Sequence, residues 1–132
     1  MAYGTTNVDT IQSSTANTPV VFKDGNGTQI GTLCRAWVNF NGTGTVAIRA
    51  SFNVSSITDN GTGDYTVNFT TALPDANYSV VGMSSSKAGV ESTGIITEEW
   101  TTVPSTTAVR VYVINRLGSA LDSTYNNVSV FR

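Results

Sequence analysis

Short runs in which apolar residues occupy every second position, separated by clusters of Gly and Asn, fill this chain from Pro19 onward. From Arg35 to Phe40, for example, Ala36, Val38 and Phe40 alternate with three other residues. A period of two places alternate side chains on opposite faces of a β-strand, and Gly or Asn between such runs is typical of tight turns. No segment has the 3.6-residue apolar period of an amphipathic helix, so the pattern predicts an all-β protein.

About eight to nine short strands with turn sequences between them are typical of two packed antiparallel sheets. We therefore predict an antiparallel, jelly-roll-like β-sandwich over residues 19–132. The sequence Asn-Gly-Thr-Gly occurs at 41–44 and again at 60–63, and both copies are predicted hairpin turns. At 41–42 the Asn-Gly pair fits the positive φ angles of a type I′ turn. The aromatic residues at alternating strand positions are predicted to be core residues: Phe40, Phe52, Tyr65 and Phe69.

Residues 1–18 differ from the rest because they are rich in Thr, Ser and Asn. Such a segment has little apolar surface to bury, so we predict an extended N-terminal arm that becomes ordered against a partner. The candidate attachment residues of the arm are Tyr3, Val8 and Ile11. The first residues lack the basic and apolar regions of a signal peptide, so we expect synthesis in a cytoplasm. No apolar run approaches the length of a membrane span, so no membrane insertion is expected.

Charged residues make up 12% of the chain, about half of the usual quarter, and the net charge is −2. The surface must therefore be polar mainly through Thr, Ser, Asn and Gly. The seven Lys and Arg residues are scattered along the chain and form no run. Nucleic-acid binding needs a clustered basic patch, so this class of partner is excluded.

The usual residues of catalysis are missing or badly placed. The chain has no His, which removes the commonest general base and the His-containing zinc sites. Glu98 and Glu99 are the one dense acidic pair, but adjacent strand residues point to opposite faces. The Asp-rich and Gly-rich segments 24–28 and 59–64 lack the spacing of a calcium loop. We predict a non-enzymatic protein without catalytic residues, cofactor or metal.

Two long polar segments, 84–94 and 117–127, are predicted to be loops that form the outward face of the domain. Trp100 and Tyr125 lie near them and are the candidate residues of an outward contact surface, since aromatic rings bind sugars by stacking. Partial burial under a loop is the alternative for both rings. Trp37 has two interpretations, exposure on the outer sheet face or contact with a second subunit.

Four blocks of sequence resemble a segment found in virion proteins of tailed bacteriophages, including marine and cyanobacterial phages. They are Arg35 to Thr45 with its continuation Ile48-Arg49, Ser51 to Ile57, Asp64 to Phe69 and Leu73 to Val80. In those proteins the segment belongs to the C-terminal region of tail fibres or similar appendages. The resemblance implies a β-sandwich that assembles as a homotrimer on the outside of the virion. Its implied partners are tail, baseplate or capsid proteins and a glycan of the host surface.

The short arm leaves two roles open within this resemblance. Tail fibres usually carry such a module after a long shaft, and a tail-fibre-type appendage that contributes to host attachment is our first hypothesis. A small protein with an N-terminal arm is also typical of capsid decoration, or cement, proteins that stabilise the phage head. A lectin-like accessory module of an enzyme is a third hypothesis, which predicts glycan binding by the isolated domain.

Overall fold

The computed structural model describes residues 7–15, 20–85, 93–98, 101–115 and 117–132. The chain divides into two units, Met1–Leu33 and Cys34–Arg132. Ten strands and no helix are found in these described ranges. The strands are β1 Phe22–Lys23, β2 Gln29–Gly31, β3 Cys34–Asn41, β4 Ala47–Phe52, β5 Val54–Gly61, β6 Asp64–Phe69, β7 Ser79–Ser85, β8 Thr93–Glu98, β9 Ala108–Ile114 and β10 Tyr125–Phe131.

The first unit contains the hairpin β1–β2. Asp24 shapes its turn, because one carboxylate oxygen accepts hydrogen bonds from the backbone N–H groups of Asn26 and Thr28, both at 2.9 Å. None of the described residues of this unit is buried. A two-stranded hairpin without a buried face is at best marginally stable in water. The predicted boundary between residues 18 and 19, with an arm before it, stays a prediction.

The second unit is built on one antiparallel sheet of eight strands, in the order β4-β3-β10-β7-β8-β9-β6-β5. Strands β7 to β10 form a Greek key, since the last of the four lies beside the first. The two outermost strands, β4 and β5, are separated along the chain by Asn53 alone. A sheet whose first and last strands are joined by one residue must fold back on itself. It therefore forms two layers, β4-β3-β10-β7 and β8-β9-β6-β5.

The core lies between these layers and is made of alternating residues from the inner strands. Rings from different layers meet there: Phe40 of β3 and Tyr65 of β6 pack edge to face with centroids 5.1 Å apart. Burying a Val or Phe side chain contributes about 1.5–3 kcal/mol. Eight of the fourteen buried apolar residues in the described ranges are valines, so Val supplies the largest share of this stabilisation. The predicted all-β antiparallel sandwich is confirmed. Its buried apolar residues are Ala36, Val38, Phe40, Val54, Tyr65, Val67, Phe69, Leu73, Ile96, Val109, Val111, Val113, Val128 and Val130.

Phe52 was predicted to be a core residue, and this prediction is wrong, because the residue is 55% exposed. The cause is a β-bulge between β3 and β4. Asn39 pairs with Ala50 and the next residue, Phe40, pairs with Ile48, so Arg49 is an extra residue in β4. An extra residue inverts the alternation of faces beyond it. Ile48 therefore packs against the core, whereas Phe52 lies opposite the exposed Trp37.

Other local predictions need correction. Tyr125–Asn127 were predicted to lie in a loop but begin strand β10, because they pair with β7 and, from Asn126 on, with β3. The ends of the predicted loop 84–94 likewise belong to β7 and β8.

Both Asn-Gly-Thr-Gly turns form where predicted, but the prediction of type I′ geometry at 41–42 is wrong. In each turn the last glycine adopts a left-handed φ, +63° at Gly44 and +69° at Gly63.

The buried hydroxyl of Tyr65 connects three loops at one end of the sandwich. It lies 2.7 Å from a carboxylate oxygen of Asp122 and 3.0 Å from the carbonyl oxygen of Gly42. The same oxygen of Asp122 accepts the N–H of Gly63 at 2.8 Å. Burial raises the pKa of Tyr65 well above its usual value of 10.0, and the neighbouring Asp122 raises it further. The phenol therefore stays protonated and acts as a donor.

An ion pair joins β6 to β9 beside this network. Nε of Arg110 donates to one carboxylate oxygen of Asp64 at 2.8 Å and Nη2 donates to the other at 2.5 Å. The hydrogen bonds from Arg110 lower the pKa of Asp64 below its usual value of 3.8. A lowered folded-state pKa means that the pair stabilises the fold above the unfolded-state pKa. This contribution is lost as the pH falls through the lowered folded-state value.

Gly42 is predicted to be intolerant of a side chain because of the Tyr65 hydroxyl. A Cβ at Gly42 would lie 2.5 Å from that oxygen. We expect Gly42→Ala to lower the free energy of unfolding by about 1–3 kcal/mol, the usual cost of overpacking. In a Tyr65→Phe background the same change should cost at least about 0.5 kcal/mol less, because the clashing oxygen is gone. Urea denaturation of the four proteins of this double-mutant cycle measures the coupling.

Gly25→Ala is the control for this cycle, since a Cβ there meets no atom within 4 Å. It should change stability by less than about 0.5 kcal/mol. Additive effects of Gly42→Ala and Tyr65→Phe would contradict the contact.

Candidate functional site

The outer face of the layer β4-β3-β10-β7 carries an exposed row of large apolar side chains. Phe52 pairs with Trp37, Trp37 with Ser129, and Ser129 with Val81, so these four residues cross the layer in register. We call Phe52, Trp37 and Val81 the outer row; they are 55%, 39% and 59% exposed. Three strand spacings of about 4.8 Å give the row a length of roughly 14 Å. Isolated apolar residues are common on surfaces, but an aligned row of them is typical of a binding surface.

A second, more polar line of side chains crosses the same face beside the outer row. Asn39 donates a hydrogen bond from Nδ2 to Oδ1 of Asn127 at 2.6 Å, across the β3–β10 pair. Asn127 pairs in turn with Met83, which is largely exposed. The guanidinium carbon of Arg49 lies 4.4 Å from the ring centroid of Tyr125, a cation–π contact. Apolar side chains and amide groups thus lie beside each other on one face of the layer.

Asn53 makes the corner at one end of the outer row. It has φ +55° and is the one non-Gly residue with positive φ among the described ranges. Its side chain is fixed on both sides: Nδ2 donates to the carbonyl oxygens of Arg35 and Thr71, both at 3.1 Å, and Oδ1 accepts the N–H of Thr71 at 2.8 Å. Asn adopts the left-handed conformation more readily than other side-chain-bearing residues. Asn therefore fits this position for two reasons: its backbone tolerates the positive φ, and its side chain makes the three hydrogen bonds.

A pocket of about 330 Å³ lies at this corner, and we call it the edge pocket. Its volume is at the lower end of the range for small-molecule sites. One wall is the exposed ring of Phe52, so the edge pocket continues the outer row. Its lining residues are Arg35, Phe52, Asn53, Thr70, Thr71 and Ala72.

Arg35 is the charged residue of the edge pocket, and its environment is unusual. It is half-buried, and its Nη1 atom is buried without a hydrogen-bond partner among the described residues. Buried polar atoms of folded proteins almost always have a partner, so an exception needs a physical explanation. The surrounding chemistry, an aromatic ring, hydroxyls and a guanidinium, suits noncovalent binding of a polar ligand. In the described ranges no group of three or more Cys, Asp or Glu residues could hold a metal ion.

Three of the residues predicted as contact sites lie in the described ranges, namely Val8, Ile11 and Tyr125. Tyr3 and Trp100 lie outside the described residues, and so does Glu99 of the acidic pair. Val8 and Ile11 are 55% and 65% exposed in the first unit, and their attachment role stays a prediction. Tyr125 is half exposed, on the outer face of β10 rather than in a loop. Phe52 and Arg35 were missed, because the bulge at Arg49 and the bend at Asn53 leave little trace in the apolar pattern.

No family model matches the chain, and no curated protein shows significant sequence similarity to it. Among solved structures, it is similar to the tailspike of phage phiAB6, crystallised with three-repeated oligosaccharides of Acinetobacter baumannii surface polysaccharide. The TM-score is 0.51 at 16% sequence identity, over 95% of this chain. The match spans 30% of the tailspike chain. At this identity the two proteins are alike in fold.

The part of our chain that the structure describes contains no helix long and apolar enough to cross a membrane.

The corner at Asn53 predicts a specific order of stability among variants. Asn53→Gly should lose the three side-chain hydrogen bonds but keep the backbone conformation, since Gly adopts positive φ at no steric cost. Asn53→Ala should lose the same bonds and also pay about 1–2 kcal/mol for a left-handed residue. Thermal or urea denaturation should therefore rank wild type above Gly and Gly above Ala. Equal stability of the Gly and Ala variants would contradict backbone strain at this corner.

Proposed function

We propose that this protein is a non-enzymatic component of a bacteriophage tail appendage, which attaches to a surface polysaccharide of the host. The outer face of β4-β3-β10-β7 is the binding surface in this proposal. The single observation that carries the proposal is the outer row, an aligned set of exposed side chains that includes two aromatic rings.

The outer row has the chemistry that a polysaccharide needs. Sugar units present C–H faces that stack on aromatic rings, while their hydroxyls need donors and acceptors nearby. Phe52 and Trp37 supply the rings, and Asn39 and Asn127 supply amide groups beside them. A row of roughly 14 Å, three strand spacings, is long enough for more than one sugar unit. An extended polymer could therefore lie across the strands rather than in a deep cavity.

Two further observations support a tail appendage over the other roles. Four blocks of the sequence resemble tail-fibre segments of tailed phages, and the fold is similar to that of a phage tailspike. The tailspike was crystallised with oligosaccharides of a bacterial surface polysaccharide. Capsid decoration is the weaker alternative, because a cement protein needs no exposed ligand-binding face. Assembly as a homotrimer, location in the virion, and attachment to tail or baseplate proteins through residues 1–18 belong to the same proposal.

A binding experiment with the full chain tests this function. The protein is immobilised and challenged by biolayer interferometry with a panel of purified bacterial capsular polysaccharides and lipopolysaccharide O-chains. We expect binding to at least one polymer without any loss of polymer length over time. Trp37→Ala and Phe52→Ala should each weaken this binding about tenfold or more, since truncating a central aromatic anchor usually has this effect.

Val103→Ala is the matched control, because Val103 is an apolar residue with 85% exposure that lies outside the layer β4-β3-β10-β7. It should bind like the wild type. Light scattering checks whether Trp37→Ala and Phe52→Ala change the oligomeric state. If they dissociate an oligomer and leave polysaccharide binding intact, the outer row is a subunit interface and the proposed binding surface is wrong.

A further inference from the structure

The charge of Arg35 has no counterion among the described residues. Arg35 is half-buried and lines the edge pocket, and no hydrogen bond or ion pair joins its guanidinium to any residue in the described ranges. Two other arginines illustrate the difference: Arg110 and Arg132 each bind a carboxylate through two nitrogens. A half-buried charge without a counterion is costly, so a charge of opposite sign from outside is favoured there.

The edge pocket also fixes where such a counterion would lie. Asn53 holds the backbone of Arg35 through the carbonyl oxygen, and it holds Thr71 through both N–H and carbonyl oxygen. The wall formed by Thr70, Thr71 and Ala72 is thus tied to the strand that carries Arg35. A guanidinium prefers a carboxylate or phosphate, which matches its planar pair of N–H donors. The pocket is therefore built to hold an anion in one place.

The remaining walls of the edge pocket identify the rest of the ligand. The Phe52 ring is 55% exposed and offers a flat apolar face. The hydroxyls of Thr70 and Thr71 form no hydrogen bond with the described part of the chain, and both residues are exposed. A small anion such as acetate would use neither feature. A ring-shaped polyol that carries a carboxylate would use all of them.

We propose that the edge pocket binds a carboxylate-bearing sugar unit, with its carboxylate on Arg35 and its ring stacked on Phe52. This inference rests on the proposed function and narrows it, because it makes an acidic polysaccharide the ligand. The edge pocket then holds one acidic sugar unit of the polymer, and the outer row holds the neutral units next to it.

Titration of the full chain with methyl glucuronide, methyl glucoside and sodium acetate tests the proposal by NMR. The two glycosides differ at one position, where the glucuronide carries a carboxylate and the glucoside a hydroxymethyl group. We expect the glucuronide to bind about tenfold or more tightly than the glucoside, as a charge-assisted hydrogen bond predicts. Acetate should bind more weakly than the glucuronide. Arg35→Gln should abolish the preference for the glucuronide, and Phe52→Ala should weaken the binding of both glycosides.

Lys23→Gln is the charge-matched control, because it also removes one positive charge but lies in the exposed hairpin. It should keep the preference for the glucuronide. Equal binding of the two glycosides would overturn the proposal, and so would acetate binding as tightly as the glucuronide. If the chain binds a neutral polysaccharide in the panel but no acidic one, the proposed function stands and this inference fails. If the chain binds no polysaccharide yet prefers the glucuronide, the proposed attachment to a polysaccharide is wrong, whereas the edge pocket still binds an acidic sugar.

Discussion

The left-handed bend at Asn53 is the constraint on which the rest of the second unit depends. It turns one long strand through a corner, so that its first part closes one layer and its second part closes the other. Three hydrogen bonds from a single side chain hold the corner to β3 and to the loop after β6. Without the bend, β4 and β5 could not end two different layers, and the apolar faces of the two layers would not enclose the core.

The candidate site follows from the same corner. The bend places Phe52, the last residue of β4, beside the side chain of Arg35 and the loop at 70–72. The bulge at Arg49 then decides that Phe52 faces outward, in register with Trp37. At the opposite end, the network around Tyr65 holds the loops together and keeps the layers aligned. One end of the sandwich is therefore closed by a buried network, whereas the other carries a pocket with an unsatisfied charge.

The sequence predicts the architecture well, because the architecture depends on alternation that can be counted. Phe40, Tyr65 and Phe69 were correctly predicted to be core residues, and Ala36 and Val38, which alternate with the same period as Phe40, are buried as well. The site depends instead on two single-residue events that break the alternation, the bulge at Arg49 and the positive φ at Asn53. Counting from Val46 places Phe52 in the core, since the extra residue is invisible without the partner strand. The missing partner of Arg35 is equally invisible, because it is a property of packed side chains.

We propose that one face of the second unit, ending at the Asn53 corner, binds a bacterial polysaccharide. The most direct test is an NMR titration of the isotope-labelled full chain with oligosaccharide fragments of the polymer that it binds best. Binding at this face should cause the largest amide and side-chain shifts at Trp37, Phe52, Asn53 and Thr70–Thr71. Shifts confined to β5, β6 and β9, or to the loop at 117–124, would contradict the proposed binding surface.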